Sequence, residues 1–317
     1  MDEELIGKIK KLGYVGRQTG FKDEEHYEKG IFTYKYWAIP EENDKLINTP
    51  FYYDKEKDFI HFTSIDSLFE ILNSRHLRLY NLLNMDDKFE LDYAQRELSF
   101  KVLEKENVGK EQLYSFSMCS SSEILNEEPK KKKHLLWKLH GKDGNGVVIR
   151  LKIENDLSTW RCYYLTKCFY DLKNFEAIKE LNKKTDNEFL DQLVLAFIKV
   201  PIYEFENEIR IVFDGRRSGT THDKNKKLIY PIIYPDKLQK IDKISYVQLP
   251  LCNFYKDEQV YSVPDSMYGK SKMPKISITE IILGYRYNED DLKNLKERIA
   301  LFDPNINVKM SDLKQYY

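Results

Sequence analysis

The chain lacks the features that mark several large classes of protein. No run of roughly 18 consecutive apolar residues occurs, so we expect neither a membrane-spanning helix nor a membrane partner. The first residues, MDEELIGKIKKLG, are polar and charged and lack the apolar core of a secretory leader. The 4 cysteines are scattered, without CxxC or another metal-ligand spacing. We therefore expect a cytoplasmic protein with reduced cysteines and no metal.

The net charge and the absence of several known catalytic motifs exclude further classes of protein. The formal net charge is -1, so no overall basic field indicates a nucleic-acid-binding protein. The glycine-rich segment GKDGNG at 141–146 lacks the GK[ST] ending of a phosphate-binding loop and precedes a predicted strand rather than a helix. The sequence also contains no GxGxxG, HExxH or serine nucleophile-elbow motif. These absences argue against nucleotide-binding loops, dinucleotide-binding folds, zinc proteases and α/β-hydrolases.

The composition that is present indicates a folded α+β protein. Aromatic residues make up 14 % of the chain, including 23 tyrosines, which favours a folded protein with stacking surfaces over disorder. Hydrophobic periodicity predicts strands interspersed with helices, hence an α+β fold with one mixed domain behind an N-terminal extension at 1–54. The main predicted strands lie at 59–64, 77–79, 114–119, 147–153, 160–169, 203–213, 229–234, 242–249, 278–284 and 306–309. The main predicted helices lie at 2–12, 66–75, 173–183, 186–199 and 289–302.

The segment YEFENEIRIVF at 203–213 is the most informative part of the sequence. Glu206, Glu208 and Arg210 occupy alternate positions, and the residues of opposite parity are apolar except Asn207. This pattern predicts a half-buried strand with a polar face toward a groove or solvent. The negative charges of Glu206 and Glu208 lie two residues apart on one face and repel each other, and the positive charge of Arg210 neutralises part of that repulsion. Two interpretations remain open: a solvated face with a local ion pair, or a catalytic pair of carboxylates.

Several short motifs, in order, resemble a bacterial family catalogued as domain of unknown function 2971. The resemblance covers residues 55–312 approximately and leaves 1–54 outside it. Where the family usually has Asn-Asp-Pro, this chain has Asn-Met-Asp-Asp, so both Asp86 and Asp87 are candidates. The motifs are His-Phe-Thr-Ser at 61–64, an Asn-Met-Asp-Asp turn at 84–90, Ser-Phe-Ser at 115–117, Trp137, a Gly-initiated strand at 146–149, Glu-Asn-Glu-Ile-Arg at 206–210, Ile-Ile-Leu-Gly at 281–284, and Ser311.

That family in turn is similar to the ADP-ribosyltransferase fold, especially its nucleic-acid-modifying toxin branch. The resemblance implies a mainly antiparallel split sheet with flanking helices, a domain at 55–312 with a tail at 313–317, and NAD as substrate. It implies that Glu208 stabilises the oxocarbenium-like transition state and that Glu206 acts as general base. The implied NAD-binding residues are His61, Thr63, Ser115, Ser117 and Arg210, and the implied macromolecular-substrate residues are Asn84, Asp86 and Asp87.

Each of these residues also has a purely structural interpretation. His61 is equally well explained as a core histidine, and Thr63 and Ser64 as helix-capping residues. Ser115 and Ser117 fit ordinary strand hydroxyls, while Arg210 either binds pyrophosphate or neutralises the glutamates. Histidines 134, 140 and 222 lie in polar, lysine-rich surroundings, which predicts surface positions.

Three functions follow from these observations. The first is an ADP-ribosyltransferase acting as a toxin or phage-defence effector, with RNA or DNA as the first expected acceptor and protein as the second. The basic segment 127–142 supports the nucleic-acid acceptor, and a toxin would require an antitoxin partner. The second is a catalytically inert sensor that binds nucleotide or nucleic acid. The third is a metal-dependent nuclease that uses Asp86, Asp87, Glu206 and Glu208.

Overall fold

A computed structural model describes residues 3–21, 32–82, 88–100, 112–126, 131–184, 188–217, 246–261 and 272–316. Within these ranges the protein is mixed α/β, with a mostly antiparallel main sheet and flanking helices, which confirms the predicted fold class at that level. The helices are α1 Glu3–Lys11, α2 Ile65–Ser74, α3 Lys88–Glu97, α4 Ser121–Leu125, α5 Lys131–Leu139, α6 Glu176–Lys184 and α7 Glu289–Ala300.

The strands form a large sheet and a small one. The large sheet follows the order β10-β4-β5-β3-β6-β11-β12, with β9 pairing to β5 and β7, and the small sheet is β1-β2-β8. The pairs β11–β12 and β2–β8 are parallel, and the other named pairs are antiparallel. The strands are β1 Val15–Phe21, β2 Phe32–Ala38, β3 Asp58–Thr63, β4 His76–Asn81, β5 Leu113–Ser120, β6 Val147–Ile153, β7 Tyr163–Lys167, β8 Glu188–Leu190, β9 Glu208–Asp214, β10 Tyr246–Pro250, β11 Ile276–Leu283 and β12 Asn307–Met310.

The large sheet splits at the middle of β5. Tyr114 and Ser115 pair with β9 on one edge and with β4 on the other. Further along, Cys119 pairs with β9 on the first edge and with Ile60 of β3 on the second. Because a strand has only two edges, β3 and β4 share one edge of β5 and diverge around Ser117. This divergence creates the place in the sheet where polar groups can enter.

Local sequence signals account for α2, which follows β3 directly. Ser64 caps the helix, since its Oγ accepts a hydrogen bond from the backbone N–H of Ser67 at 3.0 Å. The helix ends at Arg75, which adopts a left-handed conformation. The cap predicted at Ser64 is therefore confirmed, whereas Thr63 is the last residue of β3 and pairs with Val147.

The N-terminal residues pack against the part of the chain that precedes β9. Phe51 lies with its ring centroid 6.0 Å from that of Phe197, and Thr166 donates a hydrogen bond to the backbone carbonyl of Phe51 at 3.0 Å. Leu5 and Ile9 of α1 are buried in the same apolar cluster. The division into 1–54, 55–312 and 313–317 stays a prediction, but these contacts join 1–54 to the segment behind β9.

Two secondary-structure predictions near β9 are wrong. The predicted helix 186–199 is instead the short strand β8 and a 3₁₀ segment, Gln192–Phe197, because residues 193–198 are buried on all sides and carry no helical period. The predicted strand 203–213 begins only at Glu208. Pro201 starts a 3₁₀ segment, Pro201–Glu206, which ends at Asn207 with φ 46° and ψ 45°.

The predicted half-buried character of that strand is also wrong. Every residue of β9 is buried, since β5 and β7 pair with its two edges and apolar side chains cover both faces. The charged residues of β9 therefore face the protein interior rather than solvent. Separately, none of the helices in the described ranges has the length and apolarity needed to cross a membrane.

Candidate functional site

A cluster of four charged side chains lies at the start of β9. Lys199 Nζ is within hydrogen-bond distance of one carboxylate oxygen of Glu206 and one of Glu208. Arg210 donates from Nε to Glu208 Oε1 at 2.6 Å and from Nη1 to the backbone carbonyl of Ala196 at 2.9 Å. The side chains of Lys199, Glu206, Glu208 and Arg210 are 11, 6, 5 and 3 % exposed, respectively. The positive charges of the lysine and the arginine balance the negative charges of the two glutamates.

A left-handed residue separates the two elements that carry the carboxylates. Asn207 adopts this conformation between the 3₁₀ segment, which ends with Glu206, and β9, which begins with Glu208. The Asn207 side chain donates a hydrogen bond to Glu123 of α4. The backbone N–H of Glu208 donates to Tyr170 Oη at 3.1 Å, which fixes the first residue of the strand.

The cations keep both glutamates ionised. Burial by itself would raise the pKa of Glu208, but Arg210 and Lys199 outweigh it and lower the pKa to about 2. Burial likewise opposes ionisation of Glu206, and hydrogen bonds from His140 and Lys199 lower its pKa below the ordinary value. At neutral pH the site therefore presents two carboxylates, neither of which carries a proton.

His140 connects this buried cluster to the surface. Its Nε2 lies 2.9 Å from Glu206 Oε1, and its side chain is 45 % exposed. The predicted surface position of His140 is thus correct for about half of the ring, but the sequence did not indicate that the other half contacts a candidate catalytic residue. His140 follows α5, and α5 packs beside the Pro201–Glu206 segment.

His61 lies at the split of the sheet. Its Nδ1 is 2.9 Å from the backbone carbonyl of Ser117, and its ring stacks on Phe116 with centroids 4.5 Å apart. Burial lowers the pKa of His61 against the opposing effect of the Ser117 hydrogen bond, and the nearby His140 lowers it further. Because a carbonyl only accepts, Nδ1 carries the proton, and Nε2 of the neutral ring is a hydrogen-bond acceptor.

The strand register brings several other predicted residues together on one face of the sheet, the face of Ile60, whereas His61 alternates to the other face with Phe116. Glu208 pairs with Cys119, and Arg210 pairs with Ser117, so these side chains lie on one face of adjacent strands, and Ser115 is on the same face. Ser115 is buried and Ser117 half-buried. Thr63 is half-buried at the end of β3. The remaining predicted positions, Asn84, Asp86 and Asp87, lie outside the described residues.

Of the two roles considered for Arg210, its position favours neutralisation. The guanidinium contacts Glu208 twice and a backbone carbonyl once, and it is almost wholly buried. A pyrophosphate-binding arginine would have to turn its guanidinium toward the ligand instead. We therefore assign Arg210 to holding and neutralising Glu208.

Sequence reasoning missed Lys199, Tyr170 and the contact made by His140. A signal for Lys199 exists in the sequence, because it is the single charged residue in the apolar run 193–202. A lysine in such a run requires a buried anion, which the nearby glutamates supply. Nothing in the local sequence indicates the roles of Tyr170 and His140, which depend on tertiary contacts.

Within the described part of the chain, no group of three or more histidine, cysteine, aspartate or glutamate side chains is arranged to hold a metal ion. Glu206 and Glu208 instead share the ammonium group of Lys199. No model of a known protein family matches the chain, and no match is found among curated proteins or among solved structures.

Proposed function

We propose that the protein is a cytoplasmic, NAD-dependent ADP-ribosyltransferase that modifies a macromolecule. One observation carries the proposal: His61, Ser117 and Glu208 lie on the three neighbouring strands β3, β5 and β9, at the point where the sheet splits. The resemblance to the ADP-ribosyltransferase fold rests on the same order of elements: a histidine on the first core strand, a serine on a following strand and a glutamate on a later one. The ionised state of Glu208 is the second support.

Glu208 would act on the charge that develops during transfer. When the bond between nicotinamide and ribose breaks, its electron pair leaves with nicotinamide and the ribose becomes cationic. A carboxylate fixed beside the ribose stabilises that transition state more than the ground state. Arg210 and Tyr170 hold Glu208 in place through its carboxylate and its backbone N–H. The neutral His61, at the split of the sheet, would offer Nε2 to a hydroxyl of the bound NAD.

Glu206 is suited to receive the proton of the incoming nucleophile. Its carboxylate is ionised, and His140 connects it to the protein surface. The acceptor atom then bonds to the anomeric carbon and loses its proton to Glu206. The half-exposed His140 provides a route by which that proton can leave to solvent.

We propose nucleic acid, RNA or DNA, as the acceptor and protein as the alternative acceptor. The helix α5, which leads to His140, carries Lys131, Lys132 and Lys138, of which the first and third are exposed. These cations would attract a phosphate backbone toward the exposed side of His140. In this proposal the protein is a toxin or phage-defence effector, and an antitoxin protein would restrain it by covering the same face.

The test is transfer of label from NAD. The protein is incubated with labelled NAD and with cellular RNA, DNA and protein separately, and Glu208→Gln is assayed in parallel. We expect label on one class of macromolecule and release of nicotinamide, with transfer reduced by at least about 100-fold in the variant. Glu204→Gln is the matched control, because Glu204 is exposed in the adjacent 3₁₀ segment and is expected to leave transfer unchanged.

The catalytically inert sensor is the second candidate, and one observation favours it. Both oxygens of Glu208 already bind cations, Oε1 to Arg210 and Oε2 to Lys199, and the side chain is 5 % exposed. A protein of this kind would bind NAD or nucleic acid with equal affinity in the wild type and in Glu208→Gln, without releasing nicotinamide. The metal-dependent nuclease is the least favoured of the three functions. Cleavage of nucleic acid that stops when a chelator is added would support it instead.

A further inference from the structure

The two candidate catalytic carboxylates share one internal cation. Lys199 contacts Glu206 in the 3₁₀ segment and Glu208 at the start of β9, and the ring centroid of Tyr203 lies 5.2 Å from its Nζ. Two carboxylates and an aromatic ring thus surround the ammonium group, which is a favourable environment for a cation. Neither the sequence motifs nor the transfer chemistry assigns any role to this lysine.

We infer that Lys199 is a positioning residue that holds Glu206 and Glu208 together as a converging pair of carboxylates. Its role in transfer rests on the proposed function, whereas its role in holding the pair is independent of that function. Without Lys199, two like charges would remain close together in a buried place, with Arg210 bound to Glu208 and the half-exposed His140 bound to Glu206. One carboxylate would then have to take up a proton or move apart from the other.

The backbone around Lys199 is rigid enough for this role. Its backbone N–H donates to the carbonyl of Phe169 at 3.1 Å, and the preceding Ile198 forms a strand-like bridge with the same residue. Residues 193–198 are fully buried. The lysine therefore projects from a fixed segment, and its ammonium group defines a fixed point toward which both carboxylates turn.

Other titratable and charged groups surround the pair on every packed element. Arg210 lies on β9, Tyr170 follows β7, His140 follows α5, and β5 supplies Cys119. His61 of β3 acts on His140 rather than on the pair itself. Burial raises the pKa values of Cys119 and Tyr170 far above their ordinary ranges, so both stay neutral at pH 5 to pH 8. Lys132 of α5 is near enough to act on Cys119. Among these groups, His140 is the one that hydrogen-bonds directly to a carboxylate of the pair through a ring nitrogen, so its contribution has to be separated from that of the glutamates.

The experiment compares three variants by thermal unfolding between pH 5 and pH 8. Lys199→Met removes the charge and keeps the length of the side chain, leaving the cluster one negative charge in excess. Lys199→Met/Glu206→Gln restores balance, with one cation facing one anion. Glu206→Gln alone completes the cycle. His140→Gln in each background removes the imidazole that touches Glu206 and so isolates the contribution of the two carboxylates.

The inference predicts a pH-dependent loss of stability in Lys199→Met. The fall in Tm should be several degrees at pH 8 and should shrink toward pH 5, because protonation of one carboxylate relieves the repulsion. The balanced double variant should be more stable than Lys199→Met at pH 8. A fall in Tm that is constant across pH, with no recovery in the double variant, would mean that Lys199 only fills space. Failure of the balanced double variant to fold would also overturn the inference.

The activity arm separates this inference from the proposed function. If the wild type transfers ADP-ribose, Lys199→Met should shift the acidic limb of the pH–rate profile upward, because a carboxylate that must be ionised titrates at higher pH. An unshifted limb would rule out the positioning role in catalysis. If the wild type shows no transfer at all, the proposed function fails while the unfolding data still decide what Lys199 does to the pair.

Discussion

His140 Nε2 lies 2.9 Å from Glu206 Oε1, which joins a half-exposed imidazole to a buried carboxylate. The contact is the one link between the charged cluster and solvent among the hydrogen bonds described for its four members. A side chain that donates at the same place should preserve it, and one that cannot donate should remove it.

We therefore expect His140→Ala to lower the free energy of unfolding by about 1 kcal/mol, since the lost hydrogen bond has a charged acceptor but lies partly in solvent. His140→Gln retains an N–H donor and should lose less than half of that. Urea unfolding at pH 7 measures both variants. Equal losses would show that the ring's packing, and not its hydrogen bond, stabilises this part of the fold.

We expect Glu208→Gln to lower the free energy of unfolding strongly, and the size of this loss should depend on pH because it comes from the ionised carboxylate. Removing one member of a buried ion pair costs about 3–5 kcal/mol. The pKa of Glu208 is lowered from 4.5 to about 2 in the folded protein, so its ionised form stabilises the fold fully above pH 4.5. That stabilisation is lost as the pH falls from 4.5 toward 2. The gap in urea midpoint between wild type and variant should narrow over this range, and a constant gap would contradict the assignment.

His61 should titrate below its ordinary pKa of 6.5. Burial disfavours the imidazolium, so the folded state binds this proton less readily than the unfolded state does. The neutral ring is therefore favoured at pH 7, and the corresponding stability is lost as the pH falls below 6.5. Histidine-selective NMR spectra recorded between pH 8 and pH 4.5, with His61→Gln for assignment, would measure the midpoint. A midpoint at or above 6.5 would refute the prediction.

Two glycine-to-alanine substitutions should change stability in opposite directions. A Cβ at Gly284 would overlap the backbone carbonyl oxygen of Gly144, and because backbone cannot move aside easily, we expect the free energy of unfolding to fall by about 1–3 kcal/mol. Gly7 lies in the middle of α1 with no neighbouring atom within 4 Å of such a Cβ, so alanine there should stabilise by about 0.5–1 kcal/mol. Thermal unfolding tests the pair, and two changes of the same sign would contradict the close packing at Gly284.

Periodicity predicted the regular elements well where one physical effect dominates. The strand at 147–153 has the predicted bounds, because alternating burial and a preceding turn agree there. Ser64 was correctly predicted as a cap, because the hydroxyl and the helical apolar pattern follow each other directly. In both cases the local signal and the tertiary environment favour the same structure.

The site was harder to predict, because its decisive contacts are nonlocal. Alternation at 203–213 suggested one continuous strand, but Pro201 and the left-handed Asn207 replace its first half with a 3₁₀ segment. Alternation also cannot distinguish a polar face in solvent from one that meets buried charges. Lys199 and His140 complete the cluster from 9 and 66 residues away in sequence. A lone lysine in the apolar run 193–202 indicates a buried anion, but nothing in the sequence connects His140 with Glu206.

Because Phe51 packs on Phe197, the N-terminal residues cannot be removed without exposing part of the core. In the segment that leads to Lys199, Phe197 packs against Phe51, and both belong to the apolar cluster that also contains Leu5 and Ile9 of α1. A shortened protein beginning at residue 55 would leave that side of Phe197 bare, and the lysine's anchor would lose its support. The N-terminal residues and the charged cluster therefore depend on each other for packing, and a recombination point between them would remove the support of the segment that leads to Lys199.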